Sequence, residues 1–165
     1  AECTETLRIE PAHVGAHAKL AESLAQAGRA EEALRHFEAA ARGGRGDGVF
    51  LNNWGSALLV TERAAAAREK FVAAQVRLPE SAELRFNAGN ALVALGRGAE
   101  AIEAFRAAVR LRPEYVEAHY NLGAALSGAG QYAAALAEFE TALRLAPADE
   151  SARRNVAALR AYLKK

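Results

Sequence analysis

The sequence predicts an all-α chain, a solenoid of helix-turn-helix units, and three observations carry that prediction. Prolines stand at Pro11, Pro79, Pro113 and Pro147, all separated by multiples of 34 residues, and Arg45 occupies the multiple that lacks one. Within each interval apolar residues recur at i, i+3, i+4 and i+7, the stripe that a helix lays against a partner helix. Gly28, Gly96 and Gly130 fall midway through their intervals. Glycine there takes the left-handed conformation that closes a helix C-terminus, and proline, lacking an N–H, ends the second helix.

The period divides the chain into residues 1–13, four units at 14–47, 48–81, 82–115 and 116–149, and a last segment at 150–165. Counting from the first residue of a unit, Val116 onward supplies Leu122, Gly123, Leu126, Gly130, Ala135, Phe139, Ala142 and Pro147 at positions 7, 8, 11, 15, 20, 24, 27 and 32. Ala82 onward supplies Ala88, Gly89, Leu92, Gly96, Ala101, Phe105, Ala108 and Pro113. Gly48 onward supplies Trp54, Gly55, Leu58, Ala67, Phe71, Ala74 and Pro79, with Glu62 in the turn position. Val14 onward supplies Leu20, Ala21, Leu24, Gly28, Ala33, Phe37 and Ala40, with Arg45 in the proline position. Small residues at 8, 20 and 27 let two backbones approach, and the phenylalanine at 24 fills the space beside them.

This pattern resembles the tetratricopeptide repeat (TPR) family, and the resemblance covers nearly the whole chain. It implies one right-handed solenoid domain over 1–165, without catalytic activity of its own. Composition agrees with one stacked array. Hydrophobic residues are 52% of the chain but aromatics only 7%, because the apolar content is mostly alanine suited to thin helix interfaces. No apolar run approaches the roughly 20 residues of a membrane span. A net charge of +1 gives no domain-wide basic surface for nucleic acid. The single Cys3 excludes an internal disulfide. The expected compartment is the cytoplasm, and the alanine, arginine and glycine richness points to a bacterial, GC-rich source.

In chain order, Cys3, Thr6 and Ile9 stand where the second helix of a preceding unit carries its positions 24, 27 and 30, so the chain is expected to start inside a repeat, as a piece of a longer polypeptide. The glycines between Gly43 and Gly48 read either as a hinge or, better, as a loose turn; they lack the preceding strand and following Lys-Ser/Thr of a phosphate loop. The Arg45-Gly46-Asp47 triplet is read as chance. Glu62 and Arg77, the latter standing where Leu111 and Leu145 do, predict locally distorted packing in the second unit, with Trp54 adding apolar area. The third and fourth units, the most regular, are expected to be the most stable. Residues 150–165 read as a capping helix with a polar outer side, Asn155, Val156 and Ala157 in register and Arg160 in the leucine position.

The opposite faces of the first helices, positions 2, 5, 6, 9, 12 and 13, are expected to form a concave groove. Asn53, Asn87, Asn121 and Asn155 recur there at 34-residue intervals. Asparagine is a poor helix-interior residue, so its recurrence asks for a reason. One reading is a ladder whose carboxamides pair with an extended peptide backbone, similar to the TPR superhelix of O-linked N-acetylglucosamine transferases. The other is that each asparagine bonds to the adjacent helix. Asn52, Phe86, Asn90 and Tyr120 add polar contacts and aromatic platforms, or else contacts between helices. Glu83 and Glu117 favour a basic ligand, and Arg154 with Arg153 an acidic end.

The carboxylate clamp of chaperone-binding relatives is absent: position 5 of the units is Ala18, Asn52, Phe86 and Tyr120, not lysine. His13 and His17 are spaced i, i+4 but straddle a helix start, so no metal site is assigned, and no cofactor is expected. Glutamates such as Glu31, Glu32 and Glu100 sit near helix starts, where their charge suits the helix dipole. The expected partner is therefore a protein or peptide. The alternatives are a substrate-recruiting region of a larger enzyme, such as a glycosyltransferase, and self-association through the solenoid ends.

Overall fold

The computed structural model describes residues 2–164. Its helices are α1 (Glu2–Ile9), α2 (Val14–Gln26), α3 (Ala30–Arg42), α4 (Gly48–Val60), α5 (Ala64–Gln75), α6 (Ala82–Ala94), α7 (Gly98–Leu111), α8 (Val116–Gly128), α9 (Tyr132–Leu145) and α10 (Glu150–Leu163), and no strand occurs among the described residues. The first helices begin at Val14, Gly48, Ala82 and Val116 and the second at Ala30, Ala64, Gly98 and Tyr132, so the 34-residue period is a period of helix starts. The helices fall into two compact units, one ending at Pro79 and the other beginning at Glu80.

Both units use the same packing device. Phe37, Phe71, Phe105 and Phe139 are buried, and so are the alanines at positions 20 and 27, from Ala33 and Ala40 to Ala135 and Ala142. The Phe71, Phe105 and Phe139 rings lie against the glycine at position 8 of the hairpin partner helix, Gly55, Gly89 and Gly123. A Cβ added at Gly55 would stand 2.5 Å from the Phe71 ring, and one at Gly89 2.5 Å from the Phe105 ring. Burying such a ring contributes about 2–3 kcal/mol, and the glycine lets the helices close upon it. In the first unit Trp54 extends this interior: its ring is stacked on Phe37 at 6.2 Å and meets Phe50 edge-on at 6.0 Å, with Lys70 Nζ 4.0 Å above it.

The distortion expected at Glu62 is absent from the packing. Glu62 adopts φ 61°, the left-handed conformation of Gly28 (76°), Gly96 (70°) and Gly130 (74°), and α5 starts in register at Ala64. The departure from glycine is stored as backbone strain in one residue. Left-handed conformation costs a non-glycine residue about 1–2 kcal/mol, partly offset by the extra unfolded-state freedom of a glycine. Glu62→Gly should therefore raise stability by about 1 kcal/mol, read as a shift in the urea midpoint with Trp54 as the probe of this unit. At Arg77 the departure is confined to the helix end: α5 stops at Gln75, two positions earlier in its repeat than α7 at Leu111 and α9 at Leu145, and the slot faces outward, Leu111 being 41% exposed. Arg77 donates to the Ala73 carbonyl at 3.2 Å, and Leu78 packs where a Cβ at Gly48 would come within 2.5 Å.

The Gly43–Gly48 stretch is a tight turn with an ordered cap. Arg45 N–H donates to the Ala40 carbonyl at 3.0 Å, and Gly44 is left-handed. Asp47 caps α4, accepting the Phe50 N–H at 3.0 Å, and pairs with Arg45, so two members of the Arg-Gly-Asp triplet hold the helix start. Burial pushes the Asp47 carboxyl up, but the Phe50 N–H and the Arg45 guanidinium outweigh it and hold the group below the ordinary aspartate range. A depressed carboxylate stabilises the fold above its unfolded value, and that contribution is lost as pH falls from about 4. Asp47→Ala should cost about 1 kcal/mol at neutral pH, and the difference between variant and parent should vanish in the acid limb of a pH–stability curve.

The ends keep the register of the repeat. Ile9, in the outward-facing slot of Arg77 and Leu111, is 72% exposed, while Cys3 and Thr6 are half-buried. In α10, Ala152, Val156 and Leu159 are buried, whereas Ala157 is exposed and Arg160 turns out to bond Glu140 at 2.7 Å. Positions 8 and 11 ordinarily face their own hairpin partner, and among the described residues no helix follows α10 to cover them.

Candidate functional groove

Position 4 of the first helix carries a bond to the turn before it in three places. His17 Nε2 lies 2.9 Å from the Pro11 carbonyl, His119 Nε2 lies 2.9 Å from the Pro113 carbonyl, and Arg153 Nη2 donates to the Pro147 carbonyl at 2.7 Å. Each ties a proline turn to the helix that follows. The histidines are used locally: His13 caps α2 by accepting the Ala16 N–H at 3.0 Å, and His17 faces His36 instead of His13.

In the second unit the first-helix faces of α6, α8 and α10 carry the predicted residues other than Asn52 and Asn53, which lie on α4 of the first unit. Asn121 Nδ2 donates to Asn90 Oδ1 at 2.8 Å, and Asn155 Nδ2 donates to the Tyr120 hydroxyl at 3.2 Å. Both asparagines thus bond to the preceding first helix. The aromatic residues are anchored from below: Phe86 lies 5.9 Å from the Phe105 ring and 5.0 Å from Tyr115, and Tyr120 meets Phe139 edge-on at 5.3 Å. Glu83 and Glu117 are exposed at position 2 of α6 and α8, and burial first, then these carboxylates, push the Tyr115 hydroxyl above its ordinary range. Asn87 is half-buried on α6. Arg154 is exposed and donates to Ser151 Oγ at 3.3 Å, while Arg153 is engaged with Glu150 as well as Pro147.

Beneath the Asn90–Asn121 pair lies a cavity of about 560 Å³, walled by Ile102, Phe105, Ala125 and Gly128. The first unit holds its counterpart, about 300 Å³, where Glu22, Asn53, Ala57 and Val60 stand in the places of Asn90, Asn121, Ala125 and Gly128. Val60 narrows it, and Glu22 puts an acid at its rim. Asn52, expected to face a ligand, is only 7% exposed. Position 5 of α4 is turned into the hairpin stack. The cavity walls include Gly128 at the expected position 13 but also positions 10, 17, 21 and 24, which the first-helix face does not contain; the recurring small residues Ala57, Ala91 and Ala125 at position 10 are the signal of them in the sequence.

Models of the tetratricopeptide repeat match residues 4–48, 79–128 and 116–149. The chain is built of TPR repeats. No curated protein matches it in sequence. Among solved structures it is similar to YrrB, a TPR protein with an unusual peptide-binding site, at 23% identity and TM-score 0.83 over 92% of this chain and 78% of that one. It is similar to MamA from Desulfovibrio magneticus RS-1, at 21% identity and TM-score 0.83 over 92% and 85% of the two chains. The first TPR of Spaghetti (RPAP3), bound to an HSP90 peptide, aligns at 21% identity and TM-score 0.69 over 72% and 94%. These likenesses are of fold. No TPR helix among the described residues is long and apolar enough to cross a membrane.

Proposed function

We propose that the chain is a non-catalytic protein-interaction module whose TPR hairpins receive an extended segment of a partner protein along the first-helix face of the second unit. The observation that carries this reading is the amide pair above the cavity. Asn121 gives one N–H to Asn90, which leaves the Asn90 amide N–H groups and the Asn121 carbonyl to pair with a backbone C=O and N–H of an extended chain. A cavity of about 560 Å³ beneath them takes an apolar side chain of that segment. Glu83 and Glu117 favour basic residues at one end of the same segment.

The test is selection from a displayed library of extended peptides against the parent protein. Recovered peptides should share an apolar residue, and Ala125→Leu, which pushes a larger side chain into the cavity wall, should weaken them about tenfold or more. Asn90→Ala with Asn121→Ala should weaken the same peptides while circular dichroism stays unchanged. Peptides that bind both variants as they bind the parent would sink the proposal.

A further inference from the structure

Outside the groove, the first unit carries a cluster that the interaction reading does not use. We propose that the cleft between the α1–α2 turn and α3 is a binding site for a phosphate-class oxyanion, held by Arg35, Arg42 and the His17–His36 pair. Three observations support it.

The first is charge. The cleft is about 730 Å³, and its lining contains Arg35, Arg42, His17 and His36 but no carboxylate. Elsewhere arginine is commonly neutralised close by, as in Arg29–Glu32, Arg97–Glu100 and Arg106–Glu103. Arg35 and Arg42 have no hydrogen-bond or ion-pair partner among the described residues, and both are exposed.

The second is internal comparison. His17 and His119 hold the same position three repeats apart, and each bonds the carbonyl of the preceding proline. The residue facing His119 is Glu138, its Oε2 2.6 Å from Nδ1; the residue at the corresponding place facing His17 is His36. The second unit supplies its own anion at this point. The first supplies a second base, and a ligand oxyanion beside it restores the missing negative charge.

The third is proton placement. His17 Nε2 faces a carbonyl and must donate, so a neutral His17 accepts at Nδ1, and His36 Nδ1, 2.8 Å away, donates to it. The other ring nitrogen of His36 remains. It is an acceptor when His36 is neutral and becomes a donor toward the cleft on protonation, without loss of the His17 bond. Burial, then the facing His17, hold His36 below the ordinary histidine range; Arg35 acts in the same direction and Glu32 against it. An anion that favours the charged ring must therefore bind more tightly as pH falls, and must raise the pH at which His36 titrates.

The measurement is the histidine ring Cε1–H signals by NMR in the intact chain, at constant ionic strength, near pH 6 and pH 7.5, with inorganic phosphate and with O-phosphoserine as probes. A saturable shift of His36, with His119 unmoved, is expected. Kd should be tighter at the lower pH, by at most about thirtyfold, the limit for one coupled proton across this interval. Arg35→Gln with Arg42→Gln should weaken it about tenfold through lost charge-assisted bonds, and because both side chains are exposed the variant should stay folded. Tighter binding of phosphoserine would assign the site to a phosphorylated partner segment, and tighter binding of phosphate to the free ion. Should His36 fail to shift saturably with either probe at tens of millimolar, or the arginine variant bind as the parent does, the site does not exist. The groove reading is untouched by either result, since no residue is shared.

Discussion

Phe105→Ala should remove about 3–5 kcal/mol of stability, the cost of a buried aromatic whose neighbours cannot collapse into the space. Phe105 is fully buried among Ala101, Ile102, Leu122 and Leu126, in contact with both its own hairpin and the next. Its neighbours include Gly89, where a Cβ would fall 2.5 Å from the ring edge. Collapse is prevented on one side by a backbone already at closest approach and on the other by alanines with nothing to move inward. The reverse error, Gly89→Ala, should cost about 1–3 kcal/mol by overpacking. The two changes are coupled through one contact, so Gly89→Ala with Phe105→Leu should cost less than the sum of the single variants. Strict additivity in urea titrations would show that the ring and the glycine do not limit each other. Gly123 gives a graded control, since a Cβ there would lie 3.1 Å from Phe139 and should be accommodated more easily.

That coupling was legible in the sequence because it is local: positions 8 and 24 belong to one hairpin, and a small residue facing a phenylalanine recurs in every unit. The starts of the first helices follow the 34-residue period for the same reason, but the side chains that cap them, Asp47, Ser81 and Asp149, each accepting a backbone N–H, emerge only in the structure. What escaped sequence reading depends on more than one segment or on backbone conformation. Glu62 holds a glycine's dihedral angle with a glutamate's side chain, and only the surrounding hairpin shows that the strain is accepted there. Asn52 shares a face with Asn53 on a helical wheel but is buried, because neighbouring helices and not the wheel decide exposure. Ala157 and Arg160 follow the repeat register, yet stand in solvent because their usual partner helix is missing among the described residues. The cavity under Asn90 and Asn121 is likewise a product of two hairpins, and no single repeat contains it.

The bond from position 4 to the preceding proline turn is the clearest such case, and His119→Leu should expose its worth. The substitution keeps most of the volume of an 8% exposed side chain while deleting its bonds to the Pro113 carbonyl and to Glu138. Two net hydrogen bonds, one of them to a charged group, amount to about 2–3 kcal/mol. The partners do not suffer alike. Glu138 keeps 27% of its side chain in contact with solvent and can turn outward, so Glu138→Ala should cost less than His119→Leu. The Pro113 carbonyl belongs to the turn that joins α7 to α8, and losing its donor loosens the step between two repeats. Repeat arrays unfold by neighbouring units rather than all at once. The loss should therefore appear in hydrogen exchange as faster opening of α8 and α9, while amides of the first unit keep their protection. Uniformly faster exchange through both units would instead mean that the chain opens as one cooperative body and that this histidine is only one contribution among many.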